Sequence, residues 1–363
     1  MKKLIIIFFL FIIELYATPQ FAKEQNLNCN ACHSSVPTLN DTGKLFLENG
    51  FTFSSSEITT LEKFLKNNNS NRYIPATIIV GMNYNTARED IKPMIKALSA
   101  GTISKDLSYF LSLNRMRIKV YGQYKINEKY DKLRFGVLSP FLQSGNIDKI
   151  SSNSGLKGNN GYSTNPYLTP VQNSYFRNYR GVEYIHLYKN TTLSTSIGRT
   201  LNNSTLQKTN TNTSNSPMND LDPDSASKNQ FITQLNTQLA TNRYVGIMYD
   251  KIPDSTKTNY SILSYYQDIY NNILFNLIYV YKNNKILDDY NGIETTVGYS
   301  INDSSNLKFI YNIDQDEYNF NNKGYSMVYS KTIDKIMLKV SLAHRDTSTN
   351  SEDILQTSIS TYF

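Results

Sequence analysis

The chain has 363 residues, a formal net charge of +7 and only 39% apolar residues, with 28 Tyr, 17 Phe and no Trp. The charge is spread along the sequence with no basic block, so there is no nucleic-acid footprint. Many tyrosines at low overall hydrophobicity fit strands with one polar face and an aromatic belt better than a large globular core.

Met1-Lys2-Lys3 leads an apolar run from Leu4 to Ile13, with small residues at Ala17 and Thr18. That is the pattern of a secretory signal over 1–17, cleaved after Ala17. A spanning helix needs about 20 apolar residues, so the run is too short to cross a membrane. An uncleaved anchor is the alternative. No later segment is apolar enough for a membrane helix, which leaves a soluble chain or a β-barrel.

Both cysteines fall in one motif, Cys29-Asn30-Ala31-Cys32-His33. Two thiols separated by two residues can add to the two vinyl groups of a haem, and the His that follows reaches the iron on one side. C-x-x-C-H is the signature of c-type haem attachment, with His33 as the proximal ligand. The alternatives are a vicinal disulfide and a thioredoxin-type redox pair, and the βαβ setting of the second is absent. No cysteine remains for a long-range disulfide or a four-ligand zinc site. Asn40 or Asp41 can cap a short helix carrying Leu45, Phe46 and Leu47, ended by Gly50, and Ser56 can cap a second with Ile58, Leu61, Phe64 and Leu65. Asn-rich 66–71 reads as a linker. The haem segment, 18–71, is near the lower limit for independent folding at roughly 50 residues. It has no Met and no second His. A sixth iron ligand, if there is one, comes from later in the chain.

From 72 to 363 the sequence reads as an all-β transmembrane barrel of about sixteen antiparallel strands. They start near 73, 91, 106, 115, 131, 180, 192, 229, 242, 257, 270, 290, 305, 322, 334 and 353. In Lys335 to His344, Ile336, Leu338, Val340 and Leu342 alternate with polar or basic residues, and Met116, Ile118 and Val120 do so after Arg115. Apolar outside and polar inside is the barrel pattern, although a half-buried soluble sheet gives the same alternation. With the haem segment in the periplasm, every second connection is periplasmic and short. The long polar segments 140–179 and 202–228 then both lie outside, as outer-membrane barrels require. This parity needs a tight turn near Asn114, and Pro93 breaks the second strand locally. The last strand alternates Leu355, Thr357, Ile359 and Thr361 up to Phe363, a common ending for such barrels.

The chain resembles the fused monohaem cytochrome–porins of the bacterial outer membrane, the iron-oxidising ones among them. The likeness rests on Phe21-Ala22, the Cys29 to His33 motif, Pro37, Leu39-Asn40, Gly43, Phe46 and Gly50-Phe51, followed by a barrel. Lys23 to Asn26 departs from the family pattern, and the barrel is short for the iron oxidisers. The resemblance implies one covalent haem c that passes electrons between the cell exterior and periplasmic c-type cytochromes or other carriers, with the haem segment plugging or lining a barrel set in outer-membrane lipid. The expected role is electron transfer rather than bond-making catalysis. The alternatives are a solute porin with a haem-bearing structural or redox-sensing plug, and a soluble periplasmic cytochrome.

Buried haem propionates need cationic partners. Among the lumen-parity cations Lys92, Lys96, Arg115, Arg117, Lys119, Lys335 and Lys339, the guanidinium groups of Arg115 and Arg117 suit two-point pairing. For the sixth ligand, parity turns His344, Met82, Met116 and Met327 outward and Met94, Met248 and Met337 inward, and leaves Met218 in a loop. The face of His186 is undecided, but it stands near the inner end of its strand. It therefore ranks first, with Met248 and Met337 next and an open position as the alternative.

Overall fold

In the computed structural model the described residues are 31–35, 38–39, 41–48, 76–86, 90–104, 106–114, 117–127, 130–138, 179–200, 228–253, 258–285, 289–302, 305–315, 321–333, 336–346 and 351–362. The signal sequence, the second helix from Ser56, the linker at 66–71 and the body of both long loops lie outside them. Near the N-terminus a small two-stranded sheet, β1 (His33–Ser35) with β2 (Thr38–Leu39), precedes helix α1 (Asp41–Glu48). The expected helix at Asp41 is therefore present. The described part of the segment is not purely helical, because the motif histidine itself opens a strand.

Sixteen strands follow: β3 (Ala76–Asn85), β4 (Asp90–Thr102), β5 (Leu107–Asn114), β6 (Arg117–Lys125), β7 (Asp131–Leu138), β8 (Tyr179–Tyr188), β9 (Thr191–Thr200) and β10 (Asn229–Ala240). They continue as β11 (Arg243–Lys251), β12 (Thr258–Tyr270), β13 (Ile273–Asn284), β14 (Tyr290–Asn302), β15 (Ser305–Gln315), β16 (Asn321–Ile333), β17 (Ile336–Asp346) and β18 (Ser351–Tyr362). Each pairs antiparallel with its sequence neighbours, and β18 closes the ring on β3 through Thr361↔Val80. Closure leaves no unpaired edge. Every expected strand start lies within three residues of the observed one. The tight turn falls between Asn114 and Arg117 as the parity demanded, and the turn between β12 and β13 sits at Asn271-Asn272. Pro93 pairs with Met82 of β3. The pairing of β4 with β5 begins only at Lys96, so Pro93 has a neighbour on one side alone, the edge-like setting in which proline is tolerated.

The turns at 189–190, 241–242 and 271–272 share one end of the barrel, where every connection is short, and connections 139–178 and 201–228 share the other with the tight turn after Asn114. At the short-turn end Lys189, Asn242 and Asn271 take left-handed conformations, with φ of 52°, 59° and 50°, a region that asparagine tolerates better than most residues.

The pleat sorts the side chains. Ile293, Val297, Phe309, Met327, Val340 and Leu342 point out and are exposed, while Glu294, Thr296, Lys308, Ser326 and Ser341 point in and are buried. A domain surrounded by water would carry the reverse, so the soluble alternative does not fit this exterior. Tyrosines band both ends of the outer surface. Tyr188, Tyr270, Tyr299 and Tyr329 lie at the short-turn end. Tyr249, Tyr260 and Tyr281 form a row at the other, with ring centroids 5.9 Å and 6.0 Å apart. An apolar band between two aromatic girdles is the exterior of a barrel that sits in lipid. Among the described residues no helix is long and apolar enough to cross a membrane.

Candidate functional site

The site is built where the N-terminal segment meets the short-turn end of the barrel. Helix α1 begins at Asp41, and the first backbone N–H groups of a helix have no partner within it. One of them is satisfied by the barrel: the Asp41 N–H donates to Asn242 Oδ1 at 3.3 Å. The Asp41 carboxylate in turn accepts from Gln238 Nε2 at 3.0 Å, from the Asn242 N–H at 3.1 Å and from the Tyr244 hydroxyl. Gln238 and Tyr244 are inward-facing residues at the ends of β10 and β11. Asp41 therefore sits at the inner rim of the lumen. Phe46 is buried and Leu45 exposed.

Cys32 and His33 precede this anchor by fewer than ten residues. Cys32 is partly exposed and is in no disulfide among the described residues. His33 opens β1 and pairs with Leu39. Cys32 and His33 thus stand side by side, with His33 in extended backbone. Cys29 lies outside the described residues.

Along the lumen wall above the anchor, the inward positions of β11 are Tyr244, Gly246, Met248 and Asp250. A side chain at Gly246 would collide with the Tyr265 ring, 2.3 Å from an added Cβ. The ring of Tyr265 crosses the wall there, and its hydroxyl donates to Asn236 Oδ1. Met248, four residues beyond Tyr244, is on the order of 13 Å further in at about 3.3 Å per residue. It is fully buried in an apolar cluster with Leu138, Tyr179, Ile232, Leu263 and Ile278.

A polar network covers the adjoining wall. Arg134 Nη1 donates to Glu183 Oε2 at 2.6 Å, with the two side chains 1% and 0% exposed. Glu183 Oε1 accepts from Ser194 at 2.8 Å and from Gln234 at 3.0 Å. The Arg134 guanidinium lies 4.2 Å over the Tyr121 ring. Gln230 donates to Asp250 at 2.8 Å. Lys132 and Lys308 also face inward and are buried.

The candidates named from sequence divide. Met248 faces the lumen, as does Met337, while Met82, Met327 and His344 are on the outer face, all as parity required. His186 is a correction. It shares the outward face with Val182, Tyr184 and Tyr188, whereas Glu183 and Ile185 point in. Its Nδ1 is paired with Asp131 Oδ1 at 2.7 Å and its ring stacks on Tyr184. The wall of the barrel separates it from anything held inside. Arg117 opens β6 opposite Asn114, at the end of the barrel remote from Asp41, roughly 25 Å along the strand at about 3.3 Å per residue. Arg115, Met116 and Met218 lie outside the described residues. Parity overlooked Lys132 and Arg134, although their alternation with Leu133 and Phe135 carries the same signal as in β6.

No family model matches the chain, and no curated protein does. Solved structures match over the barrel. A loop-deletion variant of OmpT, an outer membrane protein of Vibrio cholerae, gives a TM-score of 0.53 at 9% identity, over 80% of this chain and 99% of that one. A variant of the Rh. blastica porin gives 0.52 at 11% identity, over 80% and 100%. An anion-selective porin from Comamonas acidovorans gives 0.50 at 10% identity, over 80% and 99%. The likeness is one of fold: this chain has a porin-like barrel.

Proposed function

We propose that the chain is a bacterial outer-membrane electron-transfer protein, with one haem c attached covalently to Cys29 and Cys32 and with His33 as the proximal iron ligand. It passes electrons between an extracellular donor, ferrous iron among the candidates, and periplasmic c-type cytochromes or other carriers. The observation that carries this reading is the Asp41 anchor, which joins the segment bearing the C-x-x-C-H motif to the lumen rim at the short-turn end. Short turns are periplasmic in outer-membrane barrels, so the motif would stand at the periplasmic mouth, within reach of soluble carriers.

When bound, the haem supplies one-electron redox chemistry at a potential set by ligands and surroundings. The residues of this chain hold and shield it. Asp41, Gln238, Asn242 and Tyr244 fix the segment, and Tyr265 and the apolar cluster around Met248 form the lumen wall beyond. Lys132 and Lys308 join Arg115 and Arg117 as cations that can meet propionates, and both stand nearer the short-turn end than Arg117. Met248 remains the lumen-facing candidate for a sixth ligand.

The porin-like fold favours a second reading, a solute porin whose haem segment is a structural or redox-sensing plug. Intact cells separate the two. Under the first reading a membrane-impermeant extracellular reductant reduces the haem, and in cells lacking periplasmic acceptors the reduced spectrum persists. Under the second, the haem stays oxidised until the membrane is permeabilised.

A further inference from the structure

The wall remote from Arg134 holds a group of polar atoms that the proposed electron path does not use. On β14, Glu294 and Thr296 both face the lumen and both are fully buried. Among the described residues neither carboxylate oxygen of Glu294 has a hydrogen-bond partner, and the Thr296 hydroxyl has none either. On β15, Asn312 stands directly opposite Glu294 in the register. It too is buried, and its Oδ1 is unpartnered. Opposed residues of an antiparallel pair hold their Cβ atoms about 4.5–5.5 Å apart, and same-face neighbours along a strand are about 7 Å apart. Side chains of this length meet across such gaps. Asn276, opposite Thr296 on β13, adds an unpartnered amide Nδ2 at the margin.

A buried carboxylate with no companion is among the costliest states a side chain can take. A basic side chain, a proton or a cation relieves it. Glu294 forms no ion pair among the described residues. Lys308 is four residues from Asn312 along β15, on the order of 13 Å at about 3.3 Å per residue, with Ile310 between them. Ile278 and Ile310 flank the carboxylate with apolar surface, and the unpartnered polar atoms nearest it in the register are oxygens, the Thr296 hydroxyl and the Asn312 amide carbonyl, in a group with no sulfur or imidazole. Carboxylate, carbonyl and hydroxyl oxygens are the ligand set of hard cations and not of soft ones. We propose that Glu294, Thr296 and Asn312 form a binding site for a hard divalent cation in the lumen wall, distinct from the haem segment.

The test uses the full chain purified in detergent, with Ca2+ as the probe in equilibrium dialysis. Wild type is expected to bind one Ca2+ saturably, with a dissociation constant on the order of millimolar, as for sites of few charges. Glu294→Gln keeps the side-chain volume and weakens this binding at least about tenfold, and Thr296→Val weakens it less. Ca2+ raises the temperature at which the wild-type barrel opens on heating and leaves that of Glu294→Gln unchanged. Should Glu294→Gln fail to close into a barrel, Thr296→Val carries the comparison. Equal Ca2+ binding by wild type and variants overturns the proposal, as does the absence of saturable binding in wild type. It is also overturned by a protonated-carboxyl infrared band that persists in saturating Ca2+ and vanishes in Glu294→Gln, since Glu294 would then hold a proton in place of a cation.

Discussion

Asp41 and Asn242, 201 residues apart in sequence, hold each other through two reciprocal hydrogen bonds: the Asp41 N–H to Asn242 Oδ1 at 3.3 Å and the Asn242 N–H to Asp41 Oδ2 at 3.1 Å. Each residue satisfies an amide that its own element leaves unpaired. Asp41 is the first residue of α1, where N–H groups lack intrahelical partners, and Asn242 is the left-handed residue of a two-residue turn. A carboxylate at a helix N-terminus also favours the helix dipole. One contact thus ties the N-terminal segment to one chosen hairpin of sixteen strands.

Replacing Asp41 with Ala removes the acceptor for Gln238, Asn242 and Tyr244 together. Hydrogen bonds to a charged group are worth about 1.5–3 kcal/mol each, less where solvent screens them. The docked segment should loosen by roughly 2–4 kcal/mol in total while the barrel stays closed. Limited proteolysis between 49 and 75 then accelerates, and the gel mobility shift on heating is retained. Unchanged protection in D41A would remove the anchor.

The Arg134–Glu183 pair is buried, so breaking it from one side strands the other charge. Arg134→Ala should destabilise the barrel by about 3–5 kcal/mol, and so should Glu183→Ala. The double variant should lose much less than the sum. Denaturant unfolding of the four proteins in detergent measures this coupling, and simple additivity would contradict it.

The pleat makes a sharper contrast between adjacent residues. Val340 is exposed on the outer face near the middle of β17, and Lys339 faces in. Val340→Arg should cost about 2–4 kcal/mol in a bilayer, as cations do near the lipid midplane. Lys339→Gln should leave the opening temperature of the barrel nearly unchanged. Equal effects of the two would mean that the exterior does not meet lipid.

The strands were legible because their pattern is local. Alternation such as Ile336, Leu338, Val340 and Leu342 against Lys339 and Ser341 fixes both a strand and its outward face, and connection lengths fix the order. His186 was not legible, because both of its neighbouring parities are apolar: Val182, Tyr184 and Tyr188 on one, Ile185 and Leu187 on the other. Only the buried Glu183 breaks the tie. Asp41 read correctly as the start of a helix, but its partner is 201 residues away and no local signal points to it. Glu294 sits among Ile293, Thr295 and Val297 as one polar residue of an alternating strand, and its lack of a partner is visible only once β13 and β15 stand beside it.

The outward placement of His186 gives a direct spectral test. His186→Ala should leave the visible spectrum of the haem unchanged, because the residue is paired with Asp131 on the far side of the barrel wall. Conversion of a low-spin to a high-spin spectrum in H186A would return His186 to the iron and contradict the placement of β8.

The central claim is that a porin-like barrel carries a covalent haem on its N-terminal segment. Outer-membrane fractions from cells that mature c-type cytochromes, run on a denaturing gel and stained for haem peroxidase activity, test it most directly. The account predicts a stained band that changes mobility on heating, present in wild type and absent in Cys29→Ala and Cys32→Ala even where the protein itself is present. A full-length wild-type protein in the membrane with no haem stain would contradict it.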